Sequence, residues 1–146
     1  MDVQFSPCGT YIAIARDNNC ALVYDIRNAT TPMHVFGHVT YSRDDMETRF
    51  AMRGGDKASY GIANLGWMGS NTLVTGGADG CVRRWNIGVA TRNMGGKAIA
   101  RLDQPVAHLS FADESLAHRY PLIAGDMEGK VYVFDYSVGD NGGSLL

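Results

Sequence analysis

Short apolar runs rich in β-branched and aromatic residues recur along this chain, each bounded by polar residues or glycine. Runs of that length, with side chains alternating every second residue, predict strands rather than helices. Three of them end alike, at Val23-Tyr24-Asp25, Arg84-Trp85-Asn86 and Phe134-Asp135. When Tyr24, Trp85 and Phe134 are superimposed, Asn18, Asp79 and Glu128 fall six residues earlier, followed by Asn19, Gly80 and Gly129. An acidic or amide residue followed by Asn or Gly is what a tight hairpin demands, since the second residue must accept positive φ. The unit is therefore repeated, and its hairpin predicts strands over Tyr11 to Ala15 and Ala21 to Asp25, Thr72 to Thr75 and Val82 to Asn86, and Leu122 to Ala124 and Val131 to Asp135.

A further strand is expected before each hairpin, at Val3 to Phe5, Ile62 to Trp67 and Val106 to Phe111. A fourth follows at Met33 to Phe36 and Lys97 to Leu102, with Gly143 to Leu146 the weakest candidate for the third copy. Self-similarity at this period signals repeat architecture. The closing aromatics stand 61 and 49 residues apart, against about 40–45 for four-stranded repeats, so insertions are required. The largest is Thr40 to Tyr60; a shorter one surrounds Asp113 to Arg119, where Ser115 to His118 can form one helical turn. In a meander, Thr40 to Tyr60 falls on the same rim as the Asp79 and Glu128 turns.

The middle copy, Leu73 to Asn86 with Gly37-His38 far upstream, resembles the WD-repeat β-propeller family. The resemblance implies an all-β fold, a partial propeller of three four-stranded antiparallel blades, open rather than closed because closed propellers have about four to eight blades. Blade one is expected over about 1–37, blade two over about 38–102 with the insertion 40–60, and blade three over about 103–146. It also implies a hydrogen-bonded structural tetrad of His38, Thr75, Asp79 and Trp85. Elementary chemistry agrees, because a buried indole N–H and hydroxyl need partners and a carboxylate beside an imidazole fixes its tautomer. The outer copies depart from the pattern, with Ile14, Asn18 and Tyr24 in one and Ala124, Glu128 and Phe134 in the other.

The function implied is a non-enzymatic scaffold that binds proteins or peptides on its rims, within a multi-subunit complex. Tyr24-Asp25-Ile26-Arg27 also resembles the aromatic-Asp-x-Arg box of substrate receptors that join cullin-RING ubiquitin ligases through a propeller adaptor, with Asp25 and Arg27 as contacts. Arg27 can instead pair with Asp25 or Asp2. Within the insertion, Tyr41, Arg43, Arg49, Phe50 and Arg53 combine aromatics and guanidinium groups as peptide-binding surfaces do. From another class, a hydrolase built on His38, Asp79 and Thr75 would need Thr75 reachable and near an oxyanion hole.

Composition narrows the field. A formal net charge of -2 offers no general field for phosphates, which argues against direct nucleic-acid binding. No apolar run reaches the roughly 20 residues of a membrane span, and the first residues lack a signal-peptide pattern. Cys8, Cys20 and Cys81 form no Cys-x-x-Cys pair, which favours a reducing, intracellular setting, nucleus or cytoplasm. Cys20 and Cys81 share a repeat position and are expected to be small packing residues. His34, His108 and His118 are scattered, and Gly76-Gly77 and Gly95-Gly96 lack the Lys-Ser/Thr frame of a phosphate loop, so neither a metal nor a cofactor is implied. The 18 glycines, against about 10 from a ~7% average, fit many tight turns. The start inside a strand at Val3 suggests a piece of a larger propeller, completed by a longer chain or by oligomerisation.

Overall fold

The computed structural model describes residues 1–38, 61–88, 96–111 and 119–137. Its strands are β1 (Val3–Phe5), β2 (Tyr11–Ala15), β3 (Cys20–Asp25), β4 (His34–Gly37), β5 (Ile62–Trp67), β6 (Thr72–Gly77), β7 (Cys81–Asn86), β8 (Lys97–Arg101), β9 (Val106–Phe111), β10 (Arg119–Asp126) and β11 (Val131–Ser137). They form three antiparallel meanders with orders β1-β2-β3-β4, β5-β6-β7-β8 and β9-β10-β11, here sheets one, two and three. The candidate fourth strand at Gly143 to Leu146, the insertion Thr40 to Tyr60 and the helical turn at Ser115 to His118 lie outside the described residues.

Equivalent hairpins turn at the expected places. Asn19, Gly80 and Gly129 have φ of 62°, 73° and 86°, and in the latter two turns Gly80 N–H donates to Gly77 O and Gly129 N–H to Asp126 O. The repeat is equally plain in register, with Ile12 opposite Tyr24, Leu73 opposite Trp85 and Leu122 opposite Phe134.

Alternation divides each strand between two interfaces. In β6, Leu73 enters the core between sheets one and two with Ala13, Val23, Phe36, Leu65 and Trp85. Its neighbour Val74 enters the core between sheets two and three with Val82, Leu102, Val106 and Leu122. Sheet two is therefore apolar on both faces, which is why β6 reads as an unbroken run and not as an alternating one. Burying a side chain of this size contributes about 1.5–3 kcal/mol. Glycine permits the close approach of sheet three: a Cβ on Gly76 would stand 2.5 Å from Val106 Cγ1, and one on Gly66 would enter the Phe111 ring.

Besides a register shift opposite Val82 and Arg83 that leaves Ile99 as an extra residue in β8, further details among the described residues depart from simple alternation. A short 3-10 helix, Ile26–Asn28, follows β3, capped by the Asp25 carboxylate accepting from Arg27 N–H. Register shifts between Ile62 and Asn64 in β5 and opposite Gly125 and Asp126 in β9 leave Ala63 and Ala107 as extra residues. Such bulges re-aim the next side chain, here Asn64 and His108.

Candidate functional site

His38 follows β4 and is tied back by its N–H to Asn19 O, 2.9 Å away. That link carries the end of sheet one across to sheet two. The imidazole lies buried between the sheets, with Nδ1 2.9 Å from Asp79 Oδ1 and Nε2 2.6 Å from Thr75 Oγ1. Thr75 Oγ1 accepts from Trp85 Nε1 at 2.8 Å, and the indole stacks on Phe36 at 4.7 Å between ring centroids.

The indole N–H only donates, so the Thr75 oxygen accepts from it and has its own proton and a second lone pair with which to meet His38 Nε2. An ionised carboxylate only accepts, so His38 Nδ1 donates to Asp79. Burial opposes ionisation of Asp79, but the hydrogen bond from His38, the Cys81 N–H at 3.0 Å and the nearby Arg83 charge outweigh it and bring the carboxyl to about 2. All four residues are thus brought together, and Thr75 is buried completely.

Among the described residues, sheet three meets sheet two without such a chain; the polar pair near it, Tyr132 O–H donating to Asp126 Oδ2 at 3.3 Å, lies within sheet three. Leu102 N–H bonds Gly80 O as His38 N–H bonds Asn19 O, so Leu102 holds the His38 place. Ala124 and Phe134 hold those of Thr75 and Trp85. One interface is polar at its centre and the next is wholly apolar there.

A second network, which sequence reading missed, links the inner strands. Asp2 Oδ2 accepts from Leu65 N–H at 3.1 Å and Asn64 Nδ2 at 3.0 Å, and Asn64 Oδ1 accepts from Leu109 N–H at 2.9 Å. Asp2 faces Ala15 through the Ala15 N–H to Asp2 O bond, and Asn64 pairs with Gly76, so both occupy one repeat position. Only the bulge at Ala63 reveals that equivalence. His34, which also drew no role from sequence, places Nε2 3.0 Å from Ile87 O and so adds another tie between sheets one and two.

On the surface, Arg27 is 74% exposed and folds back on Asp25, with Nη2 2.6 Å from Oδ2 and Nε 2.9 Å from Oδ1. The hydrogen bonds from Arg27 bring the Asp25 carboxyl to about 2. Arg83 and Arg84 point to opposite faces, Arg83 reaching Asp79 at 3.4 Å and Arg84 standing exposed. Cys20 and Cys81 are buried and their thiols are pushed up by that burial. Cys8 differs: it is exposed, and hydrogen bonds with Ser6 and Thr10 lower it to about 7. Tyr41, Arg43, Arg49, Phe50 and Arg53 lie outside the described residues.

Solved structures share this arrangement. The chain matches a structure of the Dos1 propeller at TM-score 0.65 and 21% identity, covering 98% of this chain and 31% of that one. The chain folds as part of a β-propeller. A structure of the mitotic checkpoint complex matches at TM-score 0.60 and 18% identity over 91% of this chain and 32% of its own. The computationally designed Ika8 protein matches at 0.60 and 17% over 94% and 33%. This partial propeller spans about a third of the length of each of those three. No family profile and no curated protein matches the sequence. Among the described residues, no helix is long and apolar enough to cross a membrane.

Proposed function

We propose that this chain is a non-enzymatic scaffold of the WD-repeat type, binding proteins or peptides on the rims of its blades as part of a multi-subunit assembly in the nucleus or cytoplasm. The observation that carries the reading is the closed chain Trp85, Thr75, His38, Asp79, in which each polar atom serves the packing of one sheet on the next. The same chain opposes a hydrolase, since a nucleophile must be reachable and Thr75 is sealed beneath Trp85 and His38. In this reading His38, Thr75, Asp79 and Trp85 set the angle between sheets. The rim turns, with Tyr41, Arg43, Arg49, Phe50 and Arg53 in the insertion, supply the contacts.

A photo-crosslinking residue placed at Arg43 or Arg53, compared with one at exposed Arg84 on a sheet face, tests this in cells. The scaffold reading expects one discrete protein adduct from the rim positions that is absent from Arg84. Equal labelling at all three would contradict it.

A second reading, a substrate receptor of a cullin-RING ligase, is favoured by the Asp25–Arg27 geometry. Asp25 holds the Nε and Nη2 edge of an exposed guanidinium, which fixes the group and presents the Nη1 edge to a partner carboxylate or backbone oxygen. Purified propeller adaptor should bind the protein and lose about tenfold or more in affinity with Arg27→Ala. Undiminished binding by the variant removes Arg27 as the contact.

A further inference from the structure

The two outer faces of this partial propeller are unfinished interfaces. On sheet one, Phe5 is 62% exposed beside Val3, and the face continues through partly exposed Ile12, Ile14, Leu22 and Tyr24. On sheet three, Val131 and Val133 are 69% and 64% exposed beside Ile123. Apolar patches of this kind mark interaction sites.

Register shows what each face fits. Ile123 and Val131 hold the places that Val74 and Val82 hold in sheet two, and Val74 and Val82 are the residues that cover sheet three. Ile14 and Tyr24 hold the places of Ala124 and Phe134, which receive that cover. The far face of sheet three and the near face of sheet one are thus the two halves of an interface already formed inside the chain.

The inner-strand network points the same way. It passes from Asp2 to the Leu65 N–H and from Asn64 to the Leu109 N–H. His108, exposed after the Ala107 bulge, holds the next acceptor place, and Val3 holds the place of Leu65 and Leu109. On the same rim, in the β2–β3 turn, Asn18 Oδ1 is buried with no partner among the described residues. In sheet two that place is taken by Asp79 Oδ1, which accepts from the end of the preceding sheet.

We propose that two copies of this chain close a six-sheet ring, the far face of sheet three in each seated on sheet one of the other, with His108 of one copy accepting from Val3 N–H of the second. The contact is head-to-tail, which closes when the rotation allows, and six sheets lie within the range of closed propellers. The proposal rests on the propeller reading, but its failure is separate: a monomer would overturn the ring and leave rim binding untouched.

Light scattering on the purified 15.8 kDa chain should give a mass of twice that value. Phe5→Lys and Val131→Lys alter exposed residues and so should give folded monomers, with strand content by circular dichroism unchanged. His108→Leu should weaken the dimer roughly tenfold, whereas His108→Asn, which restores the Asn64 chemistry, should hold it. A folded chain at single mass would mean that other sheets or other proteins cover these faces, and would overturn the proposal. So would an open polymer, or a dimer that survives both lysine variants.

Discussion

Thr75 is the residue on which the first interface turns, because its hydroxyl accepts from Trp85 Nε1 and also bonds His38 Nε2. Thr75→Val keeps the shape and orphans both Trp85 Nε1 and His38 Nε2, and each buried group left unpaired costs about 1–3 kcal/mol. The second interface shows the remedy, with Leu102, Ala124 and Phe134 in the corresponding places. His38→Leu, Thr75→Ala and Trp85→Phe together should therefore cost less than Thr75→Val alone, an outcome that urea unfolding can check and that additivity of single changes would contradict. Asp79 adds a pH dependence. Its folded value of about 2 lies below the ordinary 3.8, so the stability it contributes is complete above about pH 4 and is lost as the pH falls toward 2. Asp79→Asn should flatten the fall of the urea midpoint across that window; Asp25, held at about 2 on the open surface, contributes little there. Among the thiols, Cys8 should be alkylated first at pH 7, because its lowered value of about 7 supplies thiolate at an exposed site. Peptide mass spectrometry showing Cys20 or Cys81 modified as fast in the folded protein would contradict this.

At the scale of the strand, the hairpins were legible because the turn residues that permit positive φ, Asn19, Gly80 and Gly129, stand at one distance before each closing aromatic. Strand ends were less so: β10 extends from Arg119 to Asp126, where the apolar signal marks only Leu122 to Ala124. The four residues of the first interface were visible through their polar types in an apolar context. Leu102 in the His38 place was not, since nothing sets a leucine apart within an apolar run. The Asp2, Asn64 and Leu109 network was hidden for a different reason, because the bulges at Ala63 and Ala107 shift the alternation by one residue and no side-chain pattern records that. Asn64→Leu should remove two side-chain hydrogen bonds at once, to Asp2 Oδ2 and from the Leu109 N–H, and cost about 1–3 kcal/mol, with the loss appearing as faster amide exchange at Leu109. Gly76→Val should cost more than Gly125→Val, since a Cβ at Gly76 meets Val106 at 2.5 Å while one at Gly125 finds its nearest neighbour at 4.0 Å.

For the whole molecule, consecutive meanders stand side by side, β5 packed on β1 and β2 on one side and on β9 on the other. Each sheet contacts its sequence neighbours, as in repeat proteins generally, so stability is the sum of sheet terms and interface terms. The polar interface between sheets one and two ties residues far apart in sequence, and no local structure can imitate that contact. The most direct test is an NOE spectrum edited on the tryptophan indole protons of the folded chain. The account predicts that the Trp85 indole proton shows cross-peaks to Thr75 and to the ring protons of His38. A Trp85 indole proton with cross-peaks only to its sequence neighbours would contradict it.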